Sequence, residues 1–429
     1  MSEPRQGSGH IAILVGGGPA PGINGVIAAA TIRSTQGGRK VLGIQEGFKW
    51  IMQGDVSRVQ PLSNDDVSRI HFHGGSYLKT SRANPIKNPQ HLENALESLL
   101  HLGVTGLITI GGDDTCFSAL TLEKAAQGRL HVVHVPKTID NDLDLPSGIP
   151  TFGFQTARHV GVEIVRSILE DARTTSHWFF VVAMGRKAGH LALGIGKAAG
   201  ATLTLIPEEF SERPIRLGRI ADILAGSIIK RLSTGREDGV AVLAEGLAEV
   251  MDAGEVAELA SITRDEHGHI ELADLDLSEV LKQEVLRRLA PYGITPTIRR
   301  KDIGFELRCA DPIGFDMEYC RDLGYCAANF LIQGGNAALA SILNGEFTPI
   351  PFDKILDPLT KRTRVRMVDV NSESYHIARE FMIRLGPEDV GEDDAAAKCA
   401  AVVGLSPKEF RERFAYVVED ERKRSQASS

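Results

Sequence analysis

Cysteine is scarce and tryptophan scarcer in this chain: five and two among 429 residues. The cysteines are Cys116, Cys309, Cys320, Cys326 and Cys399. Their number is odd and no two form a Cys-x-x-Cys pair, which argues against a disulfide framework or a structural zinc site. Reduced thiols in a cytoplasmic enzyme are the simplest account. Cys116 reads as a small buried side chain, since no activating partner is evident. No apolar run is long enough to span a bilayer. Met1 to Gly9 is polar and carries no apolar h-region, so no secretory signal is visible. A basic excess is missing too. The net charge of -8 argues against a general nucleic-acid binder.

What is present is a recurring alternation. The apolar runs Ile11–Val15, Leu107–Ile110, His131–Val135, Trp178–Ala183, Thr202–Ile206 and Val240–Ala244 read as strands buried on both faces. Helical patterns at Gly22–Ser34, Pro89–Leu102 and Thr156–Ala172 fall between them. The fold class is therefore α/β, as Rossmann-like lobes with mainly parallel sheets and an active-site cleft between two of them. Later in the chain, Ser278–Leu289 reads as an amphipathic helix with Val280, Leu281, Val285 and Leu289 on one side. Arg321–Leu343 reads as one long helical segment. Thr263–Leu275 reads as a turn or exposed hairpin, Glu388–Asp394 as a solvated acidic loop, and Lys423–Ser429 as a frayed tail.

Chemistry concentrates after the strands, where open α/β sheets bind ligands. Pro136-Lys137-Thr138-Ile139-Asp140-Asn141-Asp142 places one cation and two carboxylates beyond a strand. A carboxylate can accept a hydroxyl proton, and an ammonium can hold a phosphate. Gly16-Gly17-Gly18 follows the first strand and opens a helix, so backbone amides can approach an anion. The spacing is neither a dinucleotide fingerprint nor a Walker A. Gly111-Gly112-Asp113-Asp114 forms a second glycine turn, whose Asp113 suits Mg²⁺. Gly74-Gly75-Ser76 leads to Thr80-Ser81-Arg82, where Arg82 suits phosphate oxygens.

Taken in order with Met184-Gly185-Arg186 and Ala244-Glu245-Gly246, these segments resemble the 6-phosphofructokinase family, from Ile11 to Gly335. The resemblance implies two α/β lobes, a homo-oligomer (a dimer in preference to a tetramer), Mg²⁺, and phosphoryl transfer to C1 of fructose 6-phosphate. ATP-using members carry glycine where this chain has Asp114 and Lys137. Members using pyrophosphate carry the Asp and Lys pair, so the resemblance is to the pyrophosphate-dependent type. It implies Asp140 as base, with Asp142 beside it and Thr138 at the sugar or phosphoryl. It implies Lys137 and Arg82 on the moving phosphoryl, Asp113 on the metal, and Gly17, Gly18 and Gly112 around the donor. On the sugar side it implies Met184, Gly185, Arg186, Glu245, Phe305, Arg308 as ligand of the 6-phosphate, and Tyr325. Phe305 and Leu307 depart from the family's tyrosine and glycine, and His177 stands near the place of an arginine lent by a neighbouring subunit. Sedoheptulose 7-phosphate is a second plausible acceptor. An ATP-dependent kinase of the same fold and a non-catalytic regulatory subunit are competing readings of the chain. The expected organisation is a donor lobe over 1–150, with part of the later chain packed back on it. A sugar-phosphate lobe over 151–345 and a C-terminal helical extension over 346–429 complete it.

Overall fold

The computed structural model describes residues 9–145, 149–252, 254–255, 276–355, 364–391 and 394–419. Thr263–Leu275 and Lys423–Ser429 lie outside the described residues, so the hairpin and tail readings are not addressed. Among the described residues, no helix is long and apolar enough to cross a membrane.

The chain divides into two compact units, Met1–Ala157 with Phe305–Arg366, and Arg158–Gly304 with Met367–Ser429. The expected boundaries do not coincide with this division. The later segment that packs back on the first unit, as the donor-lobe reading allows, is Phe305–Arg366, and the last segment completes the second unit rather than standing apart as an extension.

The first unit is built on one sheet. Its strands run in the order Ile350–Pro351, Ala338–Leu339, His131–Thr138, Val104–Gly111, His10–Val15, Val41–Ile44 and Val59–Leu62, with Phe152–Gly153 added beside Lys137 and Thr138. Pairing is parallel except at the two ends, Ala338–Leu339 with Ile350–Pro351 and Val41–Ile44 with Val59–Leu62. The three central strands carry almost unbroken apolar runs because both faces are covered. Ala12, Leu14, Leu107, Leu120 and Val132 form one side of the core, joined from far along the chain by Leu339 and Phe352. Helices Ile23–Gln36 and Gly314–Ile332 pack together closely. A Cβ on Gly324 would lie 2.4 Å from the carbonyl oxygen of Val26, so only glycine permits that approach.

The long helix expected over Arg321–Leu343 stops at Ile332. Gly334, at φ 88°, turns the chain, and Ala338–Leu339 joins the sheet against Val133 and His134. The alanine-rich composition continues, but the glycine pair breaks the helix.

The second unit has a four-stranded parallel sheet, in the order Ile298–Ile303, Trp178–Ala183, Gly239–Ala244 and Leu203–Leu205. Trp178, Phe180, Leu224 and Leu243 fill its core with Val280, Leu281, Val285 and Leu289, the predicted apolar face of the helix Leu277–Leu289. Phe410 and Phe414 close the same core. The acidic stretch Glu388–Asp394 is not simply a solvated loop. Asp389 is buried, accepts from the Gly386 amide at 2.8 Å and pairs with Lys230 at 2.6 Å. A partner distant in sequence neutralises it, which the local run of carboxylates conceals.

Candidate active site

Three chemistry-bearing turns leave the same end of the first unit's sheet. Val15, Ile110 and Val135 are in register on adjacent parallel strands. The turns after them therefore start side by side. Their residues are Gly16–Gly18, Gly112–Asp114 and Ile139–Asp142.

The first turn is stitched by its backbone. Gly16 N–H donates to Ile110 O at 2.8 Å, and Gly17 N–H donates to Ser81 O at 2.8 Å. The Thr80 hydroxyl donates to Gly17 O at 2.6 Å. Gly17 has φ 83°, in the left-handed region that favours glycine. These contacts set the exposed Arg82 directly after the residue that pairs with the glycine turn. Lys137 is buried, and its Nζ donates to Gly18 O at 2.6 Å. A Cβ on Gly17 would lie 3.5 Å from the same Nζ. The ammonium is thus seated on the glycine turn, and the structure brings Gly17, Gly18, Lys137 and the Thr80–Arg82 segment together. The Gly74 loop is drawn in as well. The Asn24 side chain donates to His73 O at 2.9 Å and accepts from Tyr77 N–H at 2.7 Å.

Asp113 and Asp114 open the helix Asp113–Ala126, with Gly112 as its N-cap. Negative charge is favoured there by the helix dipole. Asp114 is exposed and Asp113 half-buried. A Cβ on Gly112 would lie 3.6 Å from Lys137 O, so this turn abuts the acidic one. Cys116 is buried, and burial, then the charge of Asp113, pushes its thiol up, so it is no nucleophile. Among the described residues no group of three or more His, Cys, Asp or Glu side chains forms a metal cage. Asp113, half-buried where its turn abuts the acidic one, is the carboxylate that would hold a hard cation such as Mg²⁺.

The acidic turn closes on itself. Thr138 Oγ1 accepts from Asp140 N–H at 3.0 Å and donates to Asp142 Oδ1 at 3.1 Å. Asp140 and Asp142 are only 7% and 6% exposed. Asn141 sits between them at φ 57°. The Thr151 hydroxyl donates to Thr138 O at 2.6 Å, and its N–H donates to Asn141 Oδ1 at 3.1 Å.

Two residues without a sequence motif support these turns. His134 is fully buried below them, within a run that reads only as a strand. Its Nε2 lies 3.0 Å from Gly111 O, an acceptor, so Nε2 carries the proton and Nδ1 accepts from Thr109 Oγ1 at 2.8 Å. Burial, and secondarily the charge of Lys137, lower its pKa to about 3. Arg366 is the second. It donates from Nε to Asn141 O at 3.0 Å, from Nη1 to Ile149 O at 2.8 Å and from Nη2 to Asn141 Oδ1. Neither has a local signal: one is a polar residue inside an apolar run, the other an arginine remote in sequence.

Arg308 and Phe305 fall in the short helix Phe305–Arg308. The Arg308 guanidinium lies 4.6 Å from the centroid of the exposed Phe305 ring. Its Nη1 would be 3.3 Å from a Cβ on Gly18, so it stands at the glycine turn. Tyr325 lies away from the glycine turn. Its exposed ring lies under Arg33, in the last turn of the helix Ile23–Gln36, while the glycine turn precedes that helix's first. The two packed helices run side by side, and each step along them leads away from Gly18.

Met184, Gly185, Arg186 and Glu245 belong to the second unit. Glu245 Oε2 accepts from the amides of both Gly185 and Arg186 at 3.2 Å. Arg186 has φ 47°, and its carbonyl oxygen would meet a Cβ on Gly246 at 2.4 Å. The loop after Trp178–Ala183 and the end of Gly239–Ala244 are therefore locked together, leaving the Arg186 and Glu245 side chains exposed. His177 begins the strand pairing, accepting from the Gly239 amide at 3.2 Å through its carbonyl.

The phosphofructokinase family model matches residues 10–331. The chain belongs to that family. It is 48% identical over 415 residues to the pyrophosphate--fructose 6-phosphate 1-phosphotransferase of Thermotoga maritima, covering 96% of this chain and 99% of the relative. It is 49% identical to the protein of the same name from Naegleria fowleri, covering 95% and 96%. Among solved structures it resembles the pyrophosphate-dependent phosphofructokinase of Nitrosospira multiformis, with a TM-score of 0.66, 17% identity, and coverage of 87% of this chain and 90% of that one. At that identity the likeness concerns the phosphofructokinase fold. Residues after 331, Arg366 among them, lie beyond the family match.

Proposed function

We propose that the protein is a pyrophosphate-dependent phosphofructokinase, transferring a phosphoryl group reversibly from pyrophosphate to the C1 hydroxyl of fructose 6-phosphate. The observation that carries this reading is the seat of Lys137. Its ammonium rests on Gly18 O at 2.6 Å, in the turn where a donor phosphate would lie. Asp114, in the neighbouring turn, adds bulk and negative charge where a nucleotide's inner phosphate would lie, and Lys137 supplies a point charge for the smaller donor. The names of the relatives similar over nearly their full length support the same donor and acceptor.

Asp140 accepts the C1 hydroxyl proton as that oxygen bonds to phosphorus and the bridging P–O bond of pyrophosphate breaks. Asp142 fixes Thr138, and Thr138 fixes the Asp140 backbone. Lys137, Arg82 and the Gly17–Gly18 amides stabilise charge on the transferring group, so catalysis is mostly positioning and electrostatics. Mg²⁺, held by Asp113, offsets the charge of the phosphates when bound. Gly185, Arg186, Met184 and Glu245 on the second unit bind the sugar phosphate, and Arg308 a phosphate. The protein acts in the cytoplasm as a homo-oligomer, a dimer in preference to a tetramer.

Initial rates with fructose 6-phosphate, Mg²⁺ and either pyrophosphate or ATP test this directly. Turnover with pyrophosphate alone is expected. Turnover with ATP alone would overturn the donor assignment, and turnover only with sedoheptulose 7-phosphate would overturn the acceptor.

A further inference from the structure

The geometry points to Arg366 as a positioning residue for the base Asp140, a contribution from chain that lies beyond the family match. This rests on the role given to Asp140 above. Asn141, the residue between the two aspartates, is held at φ 57°, a left-handed conformation that asparagine adopts more readily than most non-glycine residues and that neighbouring contacts support here. Arg366 provides that support from one side. Its planar fork grips Asn141 O, Asn141 Oδ1 and Ile149 O together, and its own N–H donates to Asp142 O at 2.8 Å. The preceding Val365 forms an antiparallel bridge with Leu143. The guanidinium thus ties Asn141 to Ile149 while the Arg366 backbone holds Asp142, and no other side chain reproduces the fork's fixed donor geometry. Inside the turn, Thr138 contacts Asp142, Asp140 N–H and Thr151, and Thr151 N–H also holds Asn141 Oδ1 at 3.1 Å. The Arg366 guanidinium closes the outer edge of the turn from the other side. Without Arg366, Asn141 relaxes toward ordinary backbone angles and the Asp140 carboxylate moves with it. Displacements of about 1 Å are enough to slow a positioned reaction severely.

The test compares the parent with Arg366→Ala and Arg366→Lys in the full chain. Two readouts are taken: steady-state kinetics with pyrophosphate, and amide hydrogen exchange of the peptide covering residues 138–142. For Arg366→Ala we expect kcat to fall about tenfold to a hundredfold, with KM for pyrophosphate changed much less, and exchange in 138–142 to accelerate. Exchange in the glycine turn at 111–114 should stay as in the parent. Arg366→Lys keeps the charge but cannot make the three-way fork, so it should fall between the two. It also serves if the alanine variant does not fold. Unchanged exchange at 138–142 in a folded variant overturns the proposal, as does faster exchange with parental kcat. A parent inactive with pyrophosphate would defeat the proposed function instead. In that event, exchange accelerated only at 138–142 would still uphold the positioning of the turn by Arg366.

Discussion

Replacing Asp140 with asparagine removes the proton acceptor while keeping the backbone N–H that binds Thr138 Oγ1. Turnover should fall about a hundredfold or more, in the range of general-base losses, with thermal stability little changed. Near-parental kcat in initial-rate assays would remove Asp140 from its role. The donor residues lend themselves to a gain-of-function test. Asp114→Gly with Lys137→Gly should raise the ATP to pyrophosphate rate ratio, because both substitutions open the donor turn. A ratio that stays put would mean that neither residue selects the donor. At this scale most of the candidate site was legible, since its residues sit in short contiguous runs after strands. What escaped was support from afar. Arg366 reaches Asn141 across 225 positions of sequence, and no local pattern can announce that. Tyr325, assigned to the sugar by resemblance, lies with its ring under Arg33.

Secondary-structure elements were most readable where burial made them monotonous. Trp178–Ala183 matches its predicted bounds, and the helix Leu277–Leu289 presents the expected face. The missed strands are those at or near a sheet edge. Val59–Leu62 contains a proline, and Ile298–Ile303 carries Arg299, Arg300 and Lys301. Proline and lysine blunt exposed edges, so such strands do not look like strands. One buried strand carries its own pH dependence. His134 takes a proton near pH 6.5 when unfolded but only near 3 when folded. The unfolded state therefore binds more protons between those values, and stability falls as pH drops through that window, by about 1.4 kcal/mol per pH unit for one proton. A His134→Gln variant should show a shallower loss of Tm between pH 6.5 and 4.5 than the parent. Equal slopes would assign the acid sensitivity elsewhere. In the second unit, Asp222 is fully buried and joins three helical elements through Arg288 at 2.6 Å, Arg413 at 2.9 Å and Tyr416. Asp222→Ala takes this shared acceptor from Arg413 and Tyr416, while Arg288 keeps Glu284. It should destabilise by about 3–5 kcal/mol, visible as a lower thermal midpoint.

Across the whole molecule, the chain passes between its two units three times, after Ala157, Gly304 and Arg366. The first passage occurs inside the single helix Phe154–Thr175. Asp316 secures that helix's start in the first unit, accepting from Gly153 N–H at 2.9 Å and Thr156 N–H at 2.7 Å, while burial raises its pKa. Neither unit is a contiguous domain, which is why composition along the chain did not mark the boundaries. The core of the second unit draws on Leu385, Phe410 and Phe414 as well as Trp178 and Leu243. A chain ending at Arg366 should therefore lose solubility or a cooperative melting transition, whereas a removable extension would leave both intact. Differential scanning calorimetry of the soluble fraction distinguishes the two.

The late arrival of Ala338–Leu339 has a consequence for biosynthesis. These residues cover the edge of His131–Thr138, pairing with Val133 and His134. During translation that edge leaves the ribosome about 200 residues before its cover, a delay of roughly 10–40 s at ordinary elongation rates. Over that interval the nascent chain presents an apolar strand with open hydrogen-bonding groups, a template for pairing with other chains. The yield of native protein should therefore depend on elongation speed and on chaperones that hold the emerging N-terminal half.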